Sequence, residues 1–457
     1  MSGLVPDEWK LGEVVPLFKK GCRQEPSNYR PVSLTSVICK VMESLVRDQL
    51  TAHMTDSEQS CDAQHGFLPK RSCVSQLLAT LDDWTQIMEE GKPVDAAYFD
   101  FKKAFDSVPH RRLLQKLHDL GVRGPVLKWI TAFLKNRSQM VSLNGAKSSW
   151  SPVTSGIPQG SVLGPTLFVL YVNDLPQCVT SFVKLFADDT KLYASVQSQP
   201  DRDQIQSDLH ALGDWSKTWL LPFNSSKCKT LHLGHGNERQ TYTLHDVELE
   251  QVSSERDLGV IVDDVLKFRE QAAAVVAKGN RVLGLIRRSF ENIDGTSLPL
   301  LYKTLVRPLL EYGNAVWGPF NKHDQNLVEK VQRRATKLVP NLRPLPYPER
   351  LKALKLPSLT YRRRRGDMIQ MYKLFSGNLG LRREDFLTEP QTQSTRGHSK
   401  KVAKPQAQTR VRRNHLFVRA INDWNALPDA IVCATSVNSF KNELDNHWAA
   451  YQFDMPT

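Results

Sequence analysis

The amino-acid sequence predicts an α+β fold, in which strands and helices interleave in the front part of the chain and helices alone follow. Two hairpins support the strands: Asn144-Gly145 is a strong two-residue turn signal, and a second hairpin is expected over residues 183–194. From Val265 onward, apolar residues recur at helical spacing, as in Phe268 and Ala272. The 457 residues suffice for roughly two to four domains.

The front part begins with a segment, residues 1–35, that four prolines make irregular and turn-rich. Apolar spacing then predicts helices over 36–54 and 72–90, followed by a buried strand over 94–101. The remaining predicted elements of this part are a helix over 109–120 that Gly121 ends, a hairpin within 141–156 and an apolar helix over 161–172.

In the rear part, further helices are predicted near 297–311, 324–338, 358–376 and 434–451. Residues 388–412 are polar and poor in apolar side chains, so we expect a mobile linker or arm there.

Charge is distributed unevenly along the chain. The formal net charge is +13, yet residues 1–260 carry 28 basic and 30 acidic side chains, whereas residues 261–457 carry 33 and 18. The basic rear part predicts contact with a polyanion, and a merely well-solvated basic surface is the alternative.

Targeting features predict an intracellular protein, in the nucleus or the cytoplasm. No apolar stretch approaches the ~18 residues needed to cross a bilayer, and the first residues lack the apolar core of a signal peptide. The seven cysteines are odd in number and contain no Cys-x-x-Cys pair, which disfavours a disulfide framework and a cysteine-based zinc site. We therefore expect a protein that is neither secreted nor membrane-spanning.

Acidic residues interrupt apolar segments at two places. Asp100 stands within the apolar run AAYFDF, and Asp188 and Asp189 stand between two strand-like runs, at the expected tip of a hairpin. Burying a lone carboxylate is costly, so these residues should be paired, exposed or bound to a cation. Taken singly, each is equally compatible with an ordinary turn aspartate.

Two kinds of loop carry features suited to phosphate groups. The segment GIPQG (156–160) leads into an apolar helix, where glycine permits close backbone approach and the helix N-terminus favours anions. Arg30, Lys70 and Arg71 lie in predicted loops, and their charged groups suit phosphate contacts. A plain turn at a helix start and solvated surface charge are the alternatives.

The order of these features resembles a reverse transcriptase of the non-LTR retrotransposon (LINE) type, of the jockey and chicken-repeat kind. NYRPVSLTSVICKVMESLV and QHGFLPKRS resemble its finger blocks, and YFDFKKAFDSVPH, SGIPQGSVLGPTLFVLYVNDLP and LFADD its first three palm motifs. WLLPFNSSKCKTLHLG and RDLGVIVDDVLKF resemble the fourth and fifth motifs. LYKTLVRPLLEYGNAVW, VEKVQRRATKLV and LPYPERLKALKLPSLTYRRRRGDMIQMYKLF resemble the thumb and the carboxy-terminal part, so the resemblance covers nearly the whole chain.

This resemblance implies a right-hand polymerase fold. Fingers and palm, with an antiparallel sheet, would occupy residues 1–263, a helical thumb or connection region 264–387, a polar basic linker 388–412 and a C-terminal helical segment 413–457. It also implies an RNA-directed DNA polymerase that uses two Mg²⁺ ions, or Mn²⁺ as a substitute, to join a dNTP to a primer 3′-hydroxyl. Its partners would be an RNA template and a DNA primer.

The resemblance also implies the catalytic residues. Asp100 and Asp188 would bind both metal ions, and Asp189 would support the ion on the primer side. Phe105 would lie beneath the sugar and exclude a 2′-hydroxyl, whereas Asp106 is predicted to be only a helix-start residue.

Other residues would contact the nucleotide or the nucleic acid. Gln159 and Gly160 would approach the incoming nucleotide or the template base, and Lys227 would protonate pyrophosphate. Lys70 and Arg71 would hold the triphosphate, Arg71 being the stronger candidate because Leu68 stands where the family often has an arginine. The residues expected to grip duplex phosphates, or else to act as a nuclear import signal, are Arg362, Arg363, Arg364, Arg365, Lys400, Lys401, Arg410, Arg412 and Arg413.

The functional prediction is thus the polymerase part of a retrotransposon, without the endonuclease domain that autonomous elements usually carry in front. The alternative is a catalytically silent, nucleic-acid-binding remnant, which the presence of all three aspartates disfavours. A DNA-templated or RNA-only polymerase with a similar palm is disfavoured by the GIPQG block and by the match of the carboxy-terminal half.

Overall fold

A computed structural model describes residues 3–57, 61–390 and 397–453 of the chain. It contains both mixed sheets and helices, which confirms the predicted α+β class. No helix in these described ranges combines the length and the apolar character needed to cross a bilayer.

Two five-stranded sheets contain most of the strands. The first consists of Leu11–Phe18, Tyr29–Leu34, Arg137–Leu143, Ala146–Lys147 and Ser151–Val153. The second has the order Glu250–Val252, Lys229–Leu233, Val94–Phe99, Asp189–Ser195 and Phe182–Phe186. Two short hairpins add the pairs Thr243–Leu244 with Val247–Glu248 and Ser254–Asp257 with Val260–Asp263.

By its internal contacts the chain divides into two compact units. The first, called the sheet unit here, comprises residues 1–68, 95–230 and 239–251, and the second, the helical unit, comprises residues 69–94, 231–238 and 252–457. This division does not test the domain boundaries predicted at residues 263, 387 and 412, which stay predictions.

The sheet unit carries helices around one hydrophobic core. Its helices are Val37–Asp56, Ala104–Ser107, His110–Asp119, Gly124–Leu134, Gly164–Tyr171 and Gln199–Trp219. Phe99, Phe133, Phe168 and Leu185 belong to this core, and each of them is at most 5% exposed. The apolar strand Val94–Phe99 therefore lies in the interior, and Asp100 follows directly at its end.

The helical unit has a core of its own, rich in aromatic rings. Trp424 stacks on Phe375 with ring centroids 4.8 Å apart, and Tyr372 stacks on Phe440 at 4.4 Å. Its helices are Cys73–Glu89, Arg269–Ser289, Ser297–Leu301, Arg307–Glu311, Asn314–Trp317, Lys322–Thr336, Tyr347–Leu354, Leu359–Phe375, Arg410–Asn414, Leu416–Arg419, Ile421–Asn425, Asp429–Val432 and Val437–His447.

The prediction of an irregular segment over residues 1–35 is wrong, because this segment forms an antiparallel strand pair. In that pair Pro16 stands opposite Pro31. Proline cannot donate to a ladder, yet Pro31 lies in the edge strand of its sheet, where this loss is tolerated. Pro16 is tolerated because the parallel pairing of its strand with Arg137–Leu143 ends at Val14.

The other predicted elements are found within a few residues of their expected bounds, with one change of geometry. The helix predicted over 297–311 contains a wider π-helical segment, Tyr302–Val306, between its two α-helical parts. Pro308 lies just beyond this segment, and because it has no N–H the regular hydrogen-bond ladder cannot continue through it.

The segment predicted to be a mobile linker, 388–412, lies partly outside the described residues, namely at 391–396. Its following part is held against the helix Ile421–Asn425. Trp424 Nε1 donates to the carbonyl of Lys400 at 2.8 Å, and Asn425 exchanges hydrogen bonds with the backbone of Val402. At these positions the segment is therefore a packed part of the helical unit.

Candidate active site

Asp100 lies at the end of a buried strand, and the chain that returns to it is fixed by aromatic packing. Phe101 stacks on Phe223 with centroids 4.5 Å apart, and the Asn224 N–H donates to the Asp100 carbonyl at 2.7 Å. This pairing brings Lys227 beside Asp100, so that Lys227 Nζ donates to Asp100 Oδ2 at 2.8 Å. Two predicted site residues, 127 positions apart, thus form an ion pair.

Asp188 lies at a hairpin tip, as predicted. The strands Phe182–Phe186 and Asp189–Ser195 pair so that Phe186 faces Asp189, which leaves Ala187 and Asp188 as the two turn residues. Ala187 has φ at 56°, a left-handed conformation that non-glycine residues adopt at a cost of roughly 1–3 kcal/mol. Something outside the hairpin must therefore stabilise this turn.

The finger block QHGF provides that support. Gln64 Oε1 accepts hydrogen bonds from the N–H of Ala187 at 2.9 Å and from the N–H of Gly66 at 2.7 Å. The backbone of Leu185 pairs in addition with Ala63 and His65. Gln64 is itself 1% exposed. This role was not predicted, because a buried glutamine that accepts from the N–H of Ala187, 123 positions away, leaves no local pattern.

The electrostatics of the site couple the two aspartates. Burial raises the pKa of Asp188 above its usual value of 3.8, and the negative charge of Asp100 raises this pKa further. The positive charges of Arg30 and Lys19 act in the opposite direction. Asp188 is thus a partly buried carboxylate whose charged form lacks full compensation, and a bound cation would supply it.

The third predicted metal ligand, Asp189, is exposed at the start of its strand. Within the described residues, no three His, Cys, Asp or Glu side chains form a group that could hold a metal ion. The predicted three-carboxylate set is therefore not gathered in one group, and the metal role of Asp189 stays a prediction.

Asp100 and Asp188 nevertheless fit a hard divalent cation. Both offer oxygen ligands, which Mg²⁺ prefers. The ammonium group of Lys227 already contacts Asp100 Oδ2, which demonstrates that a positive charge is accommodated there. Burial, and after it the charge of Asp100, raises the pKa of Asp188, so the ionised carboxylate is not fully compensated at the hairpin tip. A cation shared by the two carboxylates would remove their repulsion.

The GIPQG loop is held by residues of the first palm motif. Gln159 Nε2 donates to Asp106 Oδ1 at 3.0 Å, and the carbonyl of Gln159 accepts from the Ser33 N–H at 2.7 Å. Gly160 has φ at 111°, and a Cβ there would come within 2.6 Å of the Ser33 carbonyl. Asp106 is therefore more than the predicted helix-start residue, since its carboxylate positions the Gln159 side chain.

A buried carboxylate that the sequence analysis missed holds the other end of this loop. Glu43 is 0% exposed, and its Oε2 accepts from the N–H groups of Val162 and Leu163 at 2.7 and 2.9 Å. These donors lie just before the helix Gly164–Tyr171, where unsatisfied N–H groups favour an anion. Glu43 lies on the buried stripe of its helix with Cys39, Val46 and Leu50, so its role depends on tertiary contacts that periodicity does not reveal.

Phe105 has a clear packing role. Its ring stacks on Phe168 with centroids 4.7 Å apart, and its carbonyl accepts from the Ile157 N–H at 2.7 Å. Phe105 is half-buried, so one part of the residue remains accessible. Its predicted action against a 2′-hydroxyl stays a prediction.

The basic residues considered for phosphate contacts lie in both units, and only Lys70 and Arg71 were predicted to hold the triphosphate. Lys70 and Arg71 belong to the helical unit and lie just before the helix Cys73–Glu89, and a Cβ on Gly380 would come within 2.7 Å of Arg71 Cγ. Their contact with a triphosphate stays a prediction. Arg30 and Lys19, by contrast, are exposed residues of the sheet unit whose charges act on Asp188. Lys19 was missed because a lone lysine beside a turn carries no signal.

The run Arg362–Arg365 is engaged mainly within the helical unit. Arg362 pairs with Glu311, Arg364 with Asp423 and Arg365 with Asp445, each through two guanidinium nitrogens. Arg363 differs from its three neighbours, since its guanidinium donates to the Thr360 hydroxyl. Contacts of this run with nucleic acid stay predictions.

The later basic residues also have partners inside the helical unit. Arg412 is buried and pairs with Asp82 at 2.6 Å, whereas Arg410 lies over the Phe320 ring, 5.0 Å from its centroid. The remaining three predicted contacts are Lys400, which donates to the Val432 carbonyl, Arg413, which donates to the Gln408 carbonyl, and Lys401, which lies against Gly397. Their contacts with phosphates likewise stay predictions.

Comparison with protein families gives a match over the sheet-forming part of the chain. Residues 18–278 match the family described as "Reverse transcriptase (RNA-dependent DNA polymerase)". This range includes Asp100, Gln159, Asp188 and Lys227, the residues around which the candidate site is built.

Curated proteins from Drosophila melanogaster match a larger part of the chain. The probable RNA-directed DNA polymerases from transposon BS and from transposon X-element are each 28% identical, over 352 and 355 residues, and the RNA-directed DNA polymerase from mobile element jockey is 27% identical over 352 residues. These matches cover 73–74% of this chain. The chain spans 38% of the length of each of these relatives.

Among solved structures, yeast telomerases are similar to the chain. Telomerase from Candida albicans, in complex with a fragment of telomeric RNA, aligns with a TM-score of 0.43 and 10% identity over 75% of this chain and 65% of its own. Apo telomerase from Candida tropicalis aligns with a TM-score of 0.42 and 10% identity, over 73% and 58% of the two chains.

Proposed function

This chain belongs to the reverse transcriptase family, and on that premise we propose that it is an RNA-directed DNA polymerase of the non-LTR retrotransposon type. The reaction is the attack of a primer 3′-hydroxyl on the α-phosphate of a dNTP, with release of pyrophosphate. The printed descriptions of the relatives from transposon BS, X-element and jockey name this polymerase activity for those proteins.

The observation that carries the proposal is the convergence of Asp100, Asp188 and Lys227. They come from three separate motifs, yet Lys227 contacts Asp100 at 2.8 Å and the charge of Asp100 raises the pKa of Asp188. Two carboxylates and an ammonium group at one place suit a reaction that handles a triphosphate. A protein that only binds nucleic acid has no need to keep two repelling carboxylates together.

Divalent metal ions, when bound by Asp100 and Asp188, would activate the primer hydroxyl and stabilise the leaving pyrophosphate. Mg²⁺ is the proposed ion and Mn²⁺ its substitute. Lys227 would leave Asp100 when an ion binds, and its ammonium group would then be free to donate a proton to the pyrophosphate. Asp189 is included as a supporting carboxylate on the primer side.

The triphosphate of the nucleotide would be bound by basic side chains. Arg30 and Lys19 are the best-supported triphosphate contacts in the sheet unit, because their charges already act on Asp188. Lys70 and Arg71 are proposed as further contacts.

The base and sugar would meet two other elements of the site. Gln159, held by Asp106, and Gly160 would approach the base of the incoming nucleotide or of the template. Phe105, fixed by its stacking on Phe168, would lie beneath the sugar and exclude ribonucleotides.

Template and primer would be gripped through phosphates by the basic rear part. This grip would be insensitive to sequence and weaken with salt. The exposed Arg413 is the member of the basic runs that we propose as a contact, because Arg412 is buried in an ion pair and Arg362, Arg364 and Arg365 pair with carboxylates. An intracellular location is part of this proposal and is supported by the seven free cysteines.

Primer extension tests the proposal. With Mg²⁺ and dTTP, the chain is expected to extend oligo(dT) on poly(rA), and its Asp188→Ala variant is expected to give no product. The matched exposed aspartate Asp214, which pairs with Lys217 on the surface, supplies the control Asp214→Ala, which should extend at the rate of the unmodified chain. If the intact chain gives no extension although it binds the primer–template, it is a binding remnant and the proposed activity is rejected.

A further inference from the structure

The helical unit contains a cavity of about 890 Å³ that plays no part in the proposed chemistry. Its size falls in the range of small-molecule and cofactor sites, roughly 300–1,000 Å³. The lining residues come from the segments 318–325, 360–367, 414–427 and 447–451, all of which belong to this one unit.

Charge in this cavity is partly neutralised and partly not. Four basic side chains and two acidic ones line it. Both carboxylates are committed: Asp423 accepts from Arg364 at 2.9 and 2.7 Å, and Asp367 accepts from Arg419 at 2.9 and 2.8 Å. The two remaining basic residues, Arg363 and Lys322, therefore give the cavity an excess of positive charge.

Arg363 is the informative member of this set. Its neighbours in the run Arg362–Arg365 each pair with a carboxylate, but within the described part of the chain Arg363 has no ion pair and donates to the Thr360 hydroxyl at 3.0 Å. Burial lowers the pKa of Arg363 below its usual value, and the charges of Glu329, Asp367 and Glu311 offset this effect only in part. Such an arrangement is costly unless an anion completes it.

Lys322 and two aromatic residues add the other features of a nucleotide site. Lys322 is exposed at the start of the helix Lys322–Thr336. Tyr451 is 44% exposed, and Phe320, half-buried, also lines the cavity. Aromatic faces beside unpaired cations suit a group that carries both a phosphate and a flat base.

We propose that this cavity binds a single unpaired nucleotide of a nucleic-acid strand, with its phosphate at Arg363 and Lys322 and its base against Tyr451. A base inside a duplex cannot enter a cavity without leaving its stack, so the site selects single-stranded over double-stranded segments. This inference deepens the proposed function and rests on it, because it assumes that the chain works on nucleic acid. RNA and DNA strands share the recognised chemistry.

The test is binding of labelled oligo(rU) and oligo(dT) of about 16 nucleotides, measured by fluorescence anisotropy at several salt concentrations. The double variant Arg363→Gln/Lys322→Gln is expected to bind roughly tenfold more weakly to at least one of these strands. The slope of log affinity against log salt should fall in magnitude by about 0.7, since both side chains contact the same phosphate and one neutralised phosphate on a single strand contributes about 0.7. Binding to a blunt primer–template duplex should change by less than about twofold.

Two further variants keep the test decisive. Arg281→Gln/Lys330→Gln removes the same charge from exposed residues that do not line the cavity, and it should leave single-strand binding within about twofold. Tyr451→Ala, at an exposed position, should weaken single-strand binding several-fold without changing the salt slope. An equal loss in the Arg281→Gln/Lys330→Gln control, or no loss with either strand, overturns the inference.

Primer extension separates this inference from the proposed function. At saturating primer–template, the double variant should extend at the unmodified rate. A chain that fails to extend primers but loses single-strand binding selectively in the double variant retains the cavity site without the polymerase activity. A chain that extends primers and binds single strands equally well with and without Arg363 and Lys322 has the activity and not the site.

Discussion

Replacing Asp188 by asparagine is expected to abolish nucleotidyl transfer and, at the same time, to stabilise the fold. Activity should fall by roughly 10³-fold or more, because a shared metal ligand contributes several kcal/mol to the transition state. Stability should rise by on the order of 1 kcal/mol, as is common when a strained functional group is removed. The physical reason is that burial and the charge of Asp100 both disfavour the ionised Asp188 carboxylate.

The pH dependence of this gain has a definite sign. The pKa of Asp188 is raised above 3.8 in the folded chain, so the folded state holds its proton more tightly than the unfolded state. The contribution of Asp188 to stability is therefore fully present below the unfolded pKa and is lost as pH rises through the folded pKa. Thermal unfolding of the unmodified chain and of Asp188→Asn should coincide near pH 3.8 and diverge above it.

The exposed Asp214 again provides the control. Asp214→Asn removes a carboxylate that pairs with Lys217 on the surface. It should leave the activity unchanged and should change the free energy of unfolding by no more than about 0.5 kcal/mol. A destabilised Asp188→Asn variant would contradict the assigned electrostatics, and a variant whose activity falls by much less than roughly 10³-fold would contradict the assigned metal role.

Replacing Asp82 by alanine is expected to give the largest loss of stability of any single change in the helical unit that we consider. Asp82 Oδ1 lies 2.6 Å from Arg412 Nη1 and 3.1 Å from His415 Nδ1, and all three side chains are at most 9% exposed. Removing the carboxylate leaves the guanidinium buried without a countercharge. Such a change costs about 3–5 kcal/mol.

Acid should also lower the stability of the unmodified chain, because it protonates Asp82. Burial acts to raise the pKa of Asp82, but the contacts with His415 and Arg412 outweigh it, and the net pKa lies below 3.8. The stabilising contribution is thus present above the unfolded pKa and is lost as pH falls through the folded pKa. Unfolding by urea, followed by circular dichroism, measures both effects.

The matched control is an exposed ion pair of the same unit. Arg382 Nε lies 3.0 Å from Asp385 Oδ2, with the two side chains 76% and 46% exposed. Asp385→Ala should cost no more than about 1 kcal/mol, since surface ion pairs contribute little. If Asp82→Ala and Asp385→Ala cost the same, the buried pair does not hold the unit together in the way described.

How much of the site was predictable depends on whether its signals are local. Asp100 and Asp188 stand out because an aspartate inside an apolar run is conspicuous. Asp188 lies at the predicted hairpin tip, whereas Asp100 follows directly after its strand and does not lie within it as predicted. Gln64 and Glu43 do not stand out, because each acts on backbone N–H groups more than a hundred positions away. Such contacts depend on the tertiary fold and leave no periodic pattern.

The fold itself was predictable to a similar degree. Helices with apolar spacing, such as Cys73–Glu89, and the Asn144-Gly145 hairpin are found at their predicted places. The strand pair of Leu11–Phe18 and Tyr29–Leu34 was missed because proline usually interrupts strands. Here the two prolines face each other at positions where no further strand needs a backbone N–H from them. Only the order of the strands in the sheet reveals this.

The central claim is that Asp100 and Asp188 together hold a divalent cation, and Mn²⁺ binding followed by electron paramagnetic resonance tests it most directly. With primer–template and dNTP present, the unmodified chain should bind Mn²⁺ in competition with Mg²⁺, and Asp100→Asn and Asp188→Asn should each lose that binding while Asp214→Asn retains it. Unchanged Mn²⁺ binding in either of the first two variants would contradict the claim.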